Sequence, residues 1–417
     1  MRTLPLCLLS SAVLATPAVA APLKFKPLVD ARVRYENVDQ TGIVRDADAV
    51  TARVRAGFEL SSGPFAFLAE AEGTLAIDEH YNSGLNGKAA FPLVADPENV
   101  ELNRIQLQYK GIAKTIVTAG RQRINLDDQR FVGAVGWRDN EQTFDAARIE
   151  WSGIKNLKLD VIYAWSARTI WGIDGTNATT PPRPQAIGGD NIFVNLAYTT
   201  KLGTLTGFYY RVDEDEPVAA LLRNSSQNFG GRFAGAWPLS KTVKLTYAAS
   251  YANQSDTGTS PINYSADYYL GELGLEVKAL KLGVGYEVLG ADGSVTTKAT
   301  GLPFAGGFAF QTPFATLHKF QGWADKFLVT PATGIKDLYG SAGYGWKKVG
   351  PFDTIGVSAI YHDYKADRLG AHYGDEIDLQ LLAKVKKYTF TLKYAEYNAK
   401  AFATDTRKIW ASVEWAF

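Results

Sequence analysis

Ten arginines carry most of the chemistry this chain can offer. Arg32, Arg34, Arg53, Arg55, Arg104, Arg121, Arg123, Arg130, Arg138 and Arg148 include three pairs spaced two residues apart. A guanidinium is a planar fork of donors that meets a carboxylate at two points. A row of such forks along a water-filled passage selects anions rather than transforming them. Groups for catalysis are sparse. The four histidines, His80, His318, His362 and His372, show no His-x-x-x-His or Cys/His spacing, so no metal site is expected. There is no Gly-x-Ser-x-Gly elbow. His362 shares the two-residue parity of Ser358, a pair read as structural. Asp127 and Asp128 with loop carbonyls could hold Ca²⁺; the preferred reading is a loop base stabilised by Arg130. The one cysteine is Cys7, so nothing after residue 7 can form a disulfide or a thiolate site. No cofactor is expected.

The elements that must position these arginines are β-strands. Val29, Ala31, Val33 and Tyr35 alternate with Asp30, Arg32, Arg34 and Glu36. Val50, Ala52, Val54 and Ala56 alternate with Thr51, Arg53, Arg55 and Gly57. In Gly120–Trp151, Arg121, Arg123 and Asn125 alternate with Gln122, Ile124 and Leu126, and Arg148 and Glu150 with Ala147 and Ile149. The loop Asp127–Gln142 lies between those two strands. One face is greasy and the other charged, which suits a barrel with lipid outside and water within. An Arg facing mid-membrane lipid costs ~2–4 kcal/mol, so eight of them outside would exceed a folding stability of about 5–15 kcal/mol. Arg32, Arg34, Arg53, Arg55, Arg104, Arg121, Arg123 and Arg148 are therefore expected on the lumen face, with Glu36, Glu59, Glu70, Glu72, Glu101 and Glu150 beside them.

Period-two segments recur to the last residue and number about eighteen, the even number a bacterial barrel needs. The expected fold is all-β, a transmembrane antiparallel barrel. Short connections such as Ser61–Pro64 and Lys347–Pro351 alternate with long ones such as Glu79–Pro97 and Thr169–Gly189. Short turns belong to the periplasmic rim and long loops to the outside. The longest loop, Ala291–Gly334, has two open readings, an inward plug or a solvated lid. Met1-Arg2, the apolar run Leu4–Leu14 and Ala18-Val19-Ala20 read as a secretory signal over residues 1–20, which leaves 21–417 as one barrel domain. The last strand alternates Ile409, Ala411, Val413, Trp415 and Phe417 with polar residues, and its terminal aromatic resembles the signal read by the barrel assembly machinery. Lys+Arg number 44 and Asp+Glu 43, so bulk charge does not favour nucleic acid. Localisation in the outer membrane of a Gram-negative bacterium, in contact with its lipid, follows.

Several segments resemble the alginate export family of outer-membrane barrels. They include Arg34-Tyr35-Glu36, Arg53–Gly57, Glu70-Ala71-Glu72, Gly120-Arg121-Gln122, Leu126–Gly133, Gly136–Asp145, Gly285–Gly290, Gln311–Asp325 and Tyr361–Tyr364. The resemblance spans the chain beyond residue 20. It implies an eighteen-stranded barrel whose arginine-rich constriction passes a polyuronate, with Arg121, Arg123, Arg130, Arg138 and Arg148 lining or bracing it. The leading expectation is a monomeric outer-membrane channel passing an anionic polysaccharide or oligosaccharide by passive diffusion. The alternative is a general or small-anion-selective porin. Two remoter readings are an outer-membrane enzyme and a structural barrel with a plugged lumen.

Overall fold

The computed structural model describes residues 21–417; the signal expected over 1–20 lies outside the described residues. Eighteen strands form one antiparallel sheet. They are β1 Lys24–Gln40, β2 Ala47–Ser62, β3 Phe65–His80, β4 Asn99–Tyr109, β5 Thr115–Gln122, β6 Thr143–Trp151, β7 Leu157–Arg168, β8 Ala186–Thr199 and β9 Thr204–Val212. The wall continues with β10 Ser226–Pro238, β11 Val243–Asp256, β12 Ser265–Val277, β13 Leu280–Leu289, β14 Ile335–Val349, β15 Phe352–Lys365, β16 His372–Val385, β17 Tyr388–Ala399 and β18 Thr406–Ala416. Each strand pairs with its chain neighbours, and β18 pairs back onto β1 from Asp30↔Ala416 to Gln40↔Thr406. The sheet is a closed meander with no free edge.

Burial runs opposite to that of a water-soluble core. On β1, Arg32 and Arg34 are 5 % and 1 % exposed while Val33 between them is 49 % exposed. The apolar faces point to lipid, and the charged faces are covered inside. The turns joining β2–β3, β13–β12 and the other same-end hairpins are short, as at residues 63–64 and 278–279, and lie at the end that holds Lys24. The opposite end carries the long loops.

Two long loops, residues 123–142 and 290–334, fold back into the lumen. They dock on each other through a bridge between Val132 and Phe314, with Gly133 N donating to Phe314 O at 2.8 Å. Gln142 Nε2 donates to Gly133 O and Phe314 O at 2.8 and 3.0 Å. Phe310, Phe314 and Phe327 of the second loop are at most 4 % exposed, packed with Phe144, Phe193 and Tyr364 from the wall. Full burial of such a side chain contributes ~1.5–3 kcal/mol, which draws the loop inward. The inward reading of the longest loop is the one found.

The Gly120–Trp151 region departs from its expected pattern. β5 ends at Gln122, so residues 123–126 belong to the inward loop rather than to a strand. Arg121 lies opposite Ile105 and Asp145, and opposed residues share a face. Ile105 is 40 % exposed on the lipid side, so Arg121 faces outward, not into the lumen. It is matched by Asp145 in a two-point pair at 2.8 and 3.0 Å and donates to Leu102 O at 2.9 Å. This site is at the loop end of the strand, where the cost of an outward charge falls. Gly120 makes the turn possible. Its φ is +110°, and a Cβ there would stand 2.3 Å from Ile105 O. Gly120→Ala should therefore lower the fraction of correctly assembled barrel, read as the heat-modifiable band on unboiled gels; an unchanged fraction would show that the β4–β5 pair can shift to admit the methyl.

Candidate functional site

The inward loop 123–142 carries its charges to the strands that carry theirs. Arg32 donates to Asp139 at 2.6 and 3.2 Å and to Trp137 O at 2.8 Å. Arg34 donates to Trp137 O at 2.7 Å and pairs with Asp96. Arg138 reaches Asp325 at 2.9 Å, Asp96 at 3.2 Å and Glu36 at 3.6 Å. Lys408 of β18 meets Asp325 at 3.0 Å. Four cations thus face Glu36, Asp96, Asp139 and Asp325, all at most 6 % exposed. Burial alone would raise the Asp139 carboxyl, but Arg34 and Arg32 outweigh it and hold it below the usual range.

Beside this knot stands an aromatic cluster. Lys393 of β17 has its ammonium 3.7 Å from the Trp323 ring and 4.0 Å from that of Trp137, with Trp410 at 5.3 Å. Its Nζ is 2.8 Å from His318 Nε2, and His318 Nδ1 is 2.7 Å from Asp325 Oδ1. An ammonium can only donate, so His318 accepts at Nε2 and donates from Nδ1 to Asp325. The ring is neutral in that role. Burial first and Lys393 second push its pKa down to about 3. His318 stacks on Trp137 at 4.4 Å, which ties the two inward loops to each other.

A second group lines a cavity of about 430 Å³ towards the terminus-bearing end, bounded by Asp30, Arg55, Glu70, Arg104, Arg123 and Glu141 among others. Arg104 grips Glu70 at 2.8 and 2.7 Å through Nε and Nη2. Arg123 grips Glu141 in the same way at 2.8 and 2.5 Å. Arg55 pairs with Glu72 and lies 3.5 Å from Glu141. Arg53 pairs with Asp30 nearby.

The other expected residues lie apart. Arg130 is buried across the lumen, where it donates to Glu287 at 2.7 Å, Thr312 at 2.9 Å and Gln321 at 3.2 Å. It anchors loop to loop and to β13. Arg148 pairs along the wall with Asp160 at 2.5 Å and Glu150 at 3.2 Å. His362 faces the lumen as parity required, but its Nδ1 is held by Asp337 at 3.0 Å. Asp127 accepts from Asn195 at 2.8 Å, and Asp128 meets Arg232 at 3.0 Å rather than the Arg130 guanidinium. Lys393, Lys408, Trp323 and Trp410 were not singled out from sequence. The signal present was Trp410 on the polar face of an alternating strand, where a large aromatic needs a partner inside.

Glu214, just beyond β9 at the loop end, is 0 % exposed. Burial, opposed by Asn224 and aided by Glu216, pushes its pKa up to about 8. A folded state that holds a proton more tightly loses stability as pH rises from the ordinary carboxyl range through that value. Glu214→Gln should match the wild type at pH 4 and unfold at a higher temperature at pH 9. A constant difference across that range would mean the carboxyl titrates normally.

Known proteins place this geometry. OpdK of Pseudomonas aeruginosa, solved alone and with vanillate, aligns over 94 % of this chain and 98 % of its own, with TM-score 0.66 at 12 % and 11 % identity. OccK9 (OpdG) of the same organism gives TM-score 0.68 at 14 % identity, covering 96 % and 99 %. OccAB2 of Acinetobacter baumannii gives 0.66 at 15 %, covering 94 % and 98 %. At such identities the likeness is one of fold, an outer-membrane porin barrel. No curated protein matches the sequence. The model of the alginate export family matches residues 24–407, nearly the whole chain. This protein is a channel barrel of the Gram-negative outer membrane, and it belongs to the alginate export family.

Proposed function

We propose that the channel passes carboxylated oligosaccharides by passive diffusion, with solute carboxylates changing places with the protein carboxylates that hold the vestibule arginines. The observation that supports this is the state of Arg104 and Arg123. Each spends Nε and Nη2 on one carboxylate, and among the described residues Nη1 has no partner. Both border the 430 Å³ cavity. Three arginines there face Asp30, Glu70, Glu141 and Glu414, so a strong positive field is not what draws the solute. Instead a uronate finds guanidinium edges already oriented and exchanges one charged partner for another. The opposite lumen wall offers Gly283, Ser341, Gly343, Ser358, Gln380 and Thr391, small, hydroxyl or amide groups suited to a sugar.

A second reading, a pore for small carboxylates, is favoured by the two inward loops, which fill part of the lumen with apolar packing. One planar-bilayer recording separates them. Oligouronates added to the bath should block the current in steps on the first reading. On the second, short monocarboxylates carry current and oligouronates leave it unchanged.

A further inference from the structure

The turns at the terminus-bearing end share a composition that the pore does not explain. Residues 63–64, 110–114, 152–156, 200–203, 239–242, 278–279, 350–351 and 386–387 contain no Asp, Glu or Arg. Turns 110–114 and 386–387 hold two lysines each, and those at 152–156, 200–203, 239–242 and 278–279 hold one each. All are exposed. Lysines on the adjoining strands, such as Lys158 and Lys348, pair with Glu150 and Asp353, but among the described residues the turn lysines have no such partner. The opposite end is different in kind; its loop at 213–216 is four acids in a row.

Backbone conformation adds a second observation. Lys114, Lys278 and Lys386 have φ of 56°, 52° and 51°, and Lys348 beside the turn at 350–351 has 55°. That left-handed region favours Gly or Asn. Lysine holds these positions against local preference. A third observation fixes the height. Outward-facing Tyr109, Trp151, Tyr198, Trp237, Trp346 and Tyr388 each stand within four residues of a turn. An aromatic collar of this kind sits at the lipid headgroup level. The lysines follow immediately beyond it.

We propose that this lysine ring binds the phosphate headgroups of anionic phospholipids in the periplasmic-side leaflet. The short turns occupy the periplasmic rim. A lysine near an anionic surface gains enough to favour an anionic lipid roughly five-fold over a zwitterionic one. The ring would anchor the barrel at a fixed depth and surround it with a selected lipid shell. The proposal concerns the outer rim and does not depend on which solute the lumen passes.

The test uses the assembled barrel in phosphatidylcholine vesicles with a minority of phosphatidylglycerol. The motionally restricted fraction of spin-labelled phosphatidylglycerol is compared with that of spin-labelled phosphatidylcholine. The wild type should enrich phosphatidylglycerol roughly five-fold, less in high salt, where surface charges are screened. Exchange of all eight turn lysines for glutamine should bring the ratio to one. A second variant, Lys114→Asn, Lys278→Asn and Lys386→Asn, puts a better-suited residue at each left-handed turn, so it folds at least as well and should still lose part of the enrichment. Equal enrichment in wild type and variants overturns the proposal. So does an unenriched shell combined with lysine-dependent binding of a soluble uronate oligomer or an acidic peptide.

Discussion

Arg138→Met should lower the thermal midpoint of the barrel and turn a quiet channel into a noisy one of larger conductance. Arg138 is 5 % exposed and serves Asp96, Asp325 and Glu36 together. Methionine keeps much of the stem but leaves four enclosed carboxylates to three cations. Removing one partner of a buried ionic group costs ~3–5 kcal/mol, because the remaining charge cannot be hydrated. The wall ladder is untouched, so the barrel still assembles. The strain is relieved by moving the loops, since water can then reach Asp325 and Asp96. Single-channel recording and the heat-modifiable gel shift check this. A variant with wild-type midpoint and wild-type current would mean that Arg34 and Lys408 suffice to hold the knot. Adding Asp325→Asn should recover part of the loss by restoring the balance of charge, and the deviation from additivity measures the coupling.

Arg104→Gln combined with Arg123→Gln should weaken block by oligouronates at least about ten-fold. A charge-assisted hydrogen bond contributes ~1.5–3 kcal/mol, and each 1.4 kcal/mol is a factor of ten in affinity. The fold should survive. Glu70 keeps Asn103 at 2.9 Å, and Glu141 keeps Asn103 at 2.7 Å and Arg55 at 3.5 Å. The quantity to measure is the oligouronate concentration for half-block at fixed voltage. Unchanged block with normal conductance would reduce both arginines to braces of the wall. Arg121→Gln is the matched control. That arginine faces outward, so its loss should leave the block as it was, although it is one residue from the loop that carries Arg123.

The wall was legible because its physics is local. The strands show a two-residue alternation over their mid-membrane stretches, since lipid rejects charge there. The alternation misleads at the loop end of β5, just before the chain leaves the sheet. Arg121 and Arg123 look equivalent in sequence, two residues apart on a polar face. One faces lipid and the other the lumen, because Gly120 permits a twist and the strand ends at Gln122. No periodicity reports where a strand stops or which register its neighbour imposes. The plug was hidden for a different reason. Phe144 and Phe193 point inward to receive Phe314, a partner more than a hundred residues away. Their apolar character on a lumen face is explained only by a loop whose destination is set by long-range packing. The cage around Lys393 likewise joins residues of two loops and two strands, and no spacing rule brings those together.

The join between first and last strands has its own consequence. Lys408 of β18 lies 3.9 Å from Glu36 of β1, and Glu414 of β18 lies 3.7 Å from Arg53 of β2. Trp410 of β18 packs within the same knot that Arg34 of β1 enters. To unzip this join sideways would drag those charges from their partners into hydrocarbon, at several kcal/mol apiece. The seam is thus latched from within, and its strands part only with the loss of these lumen pairs.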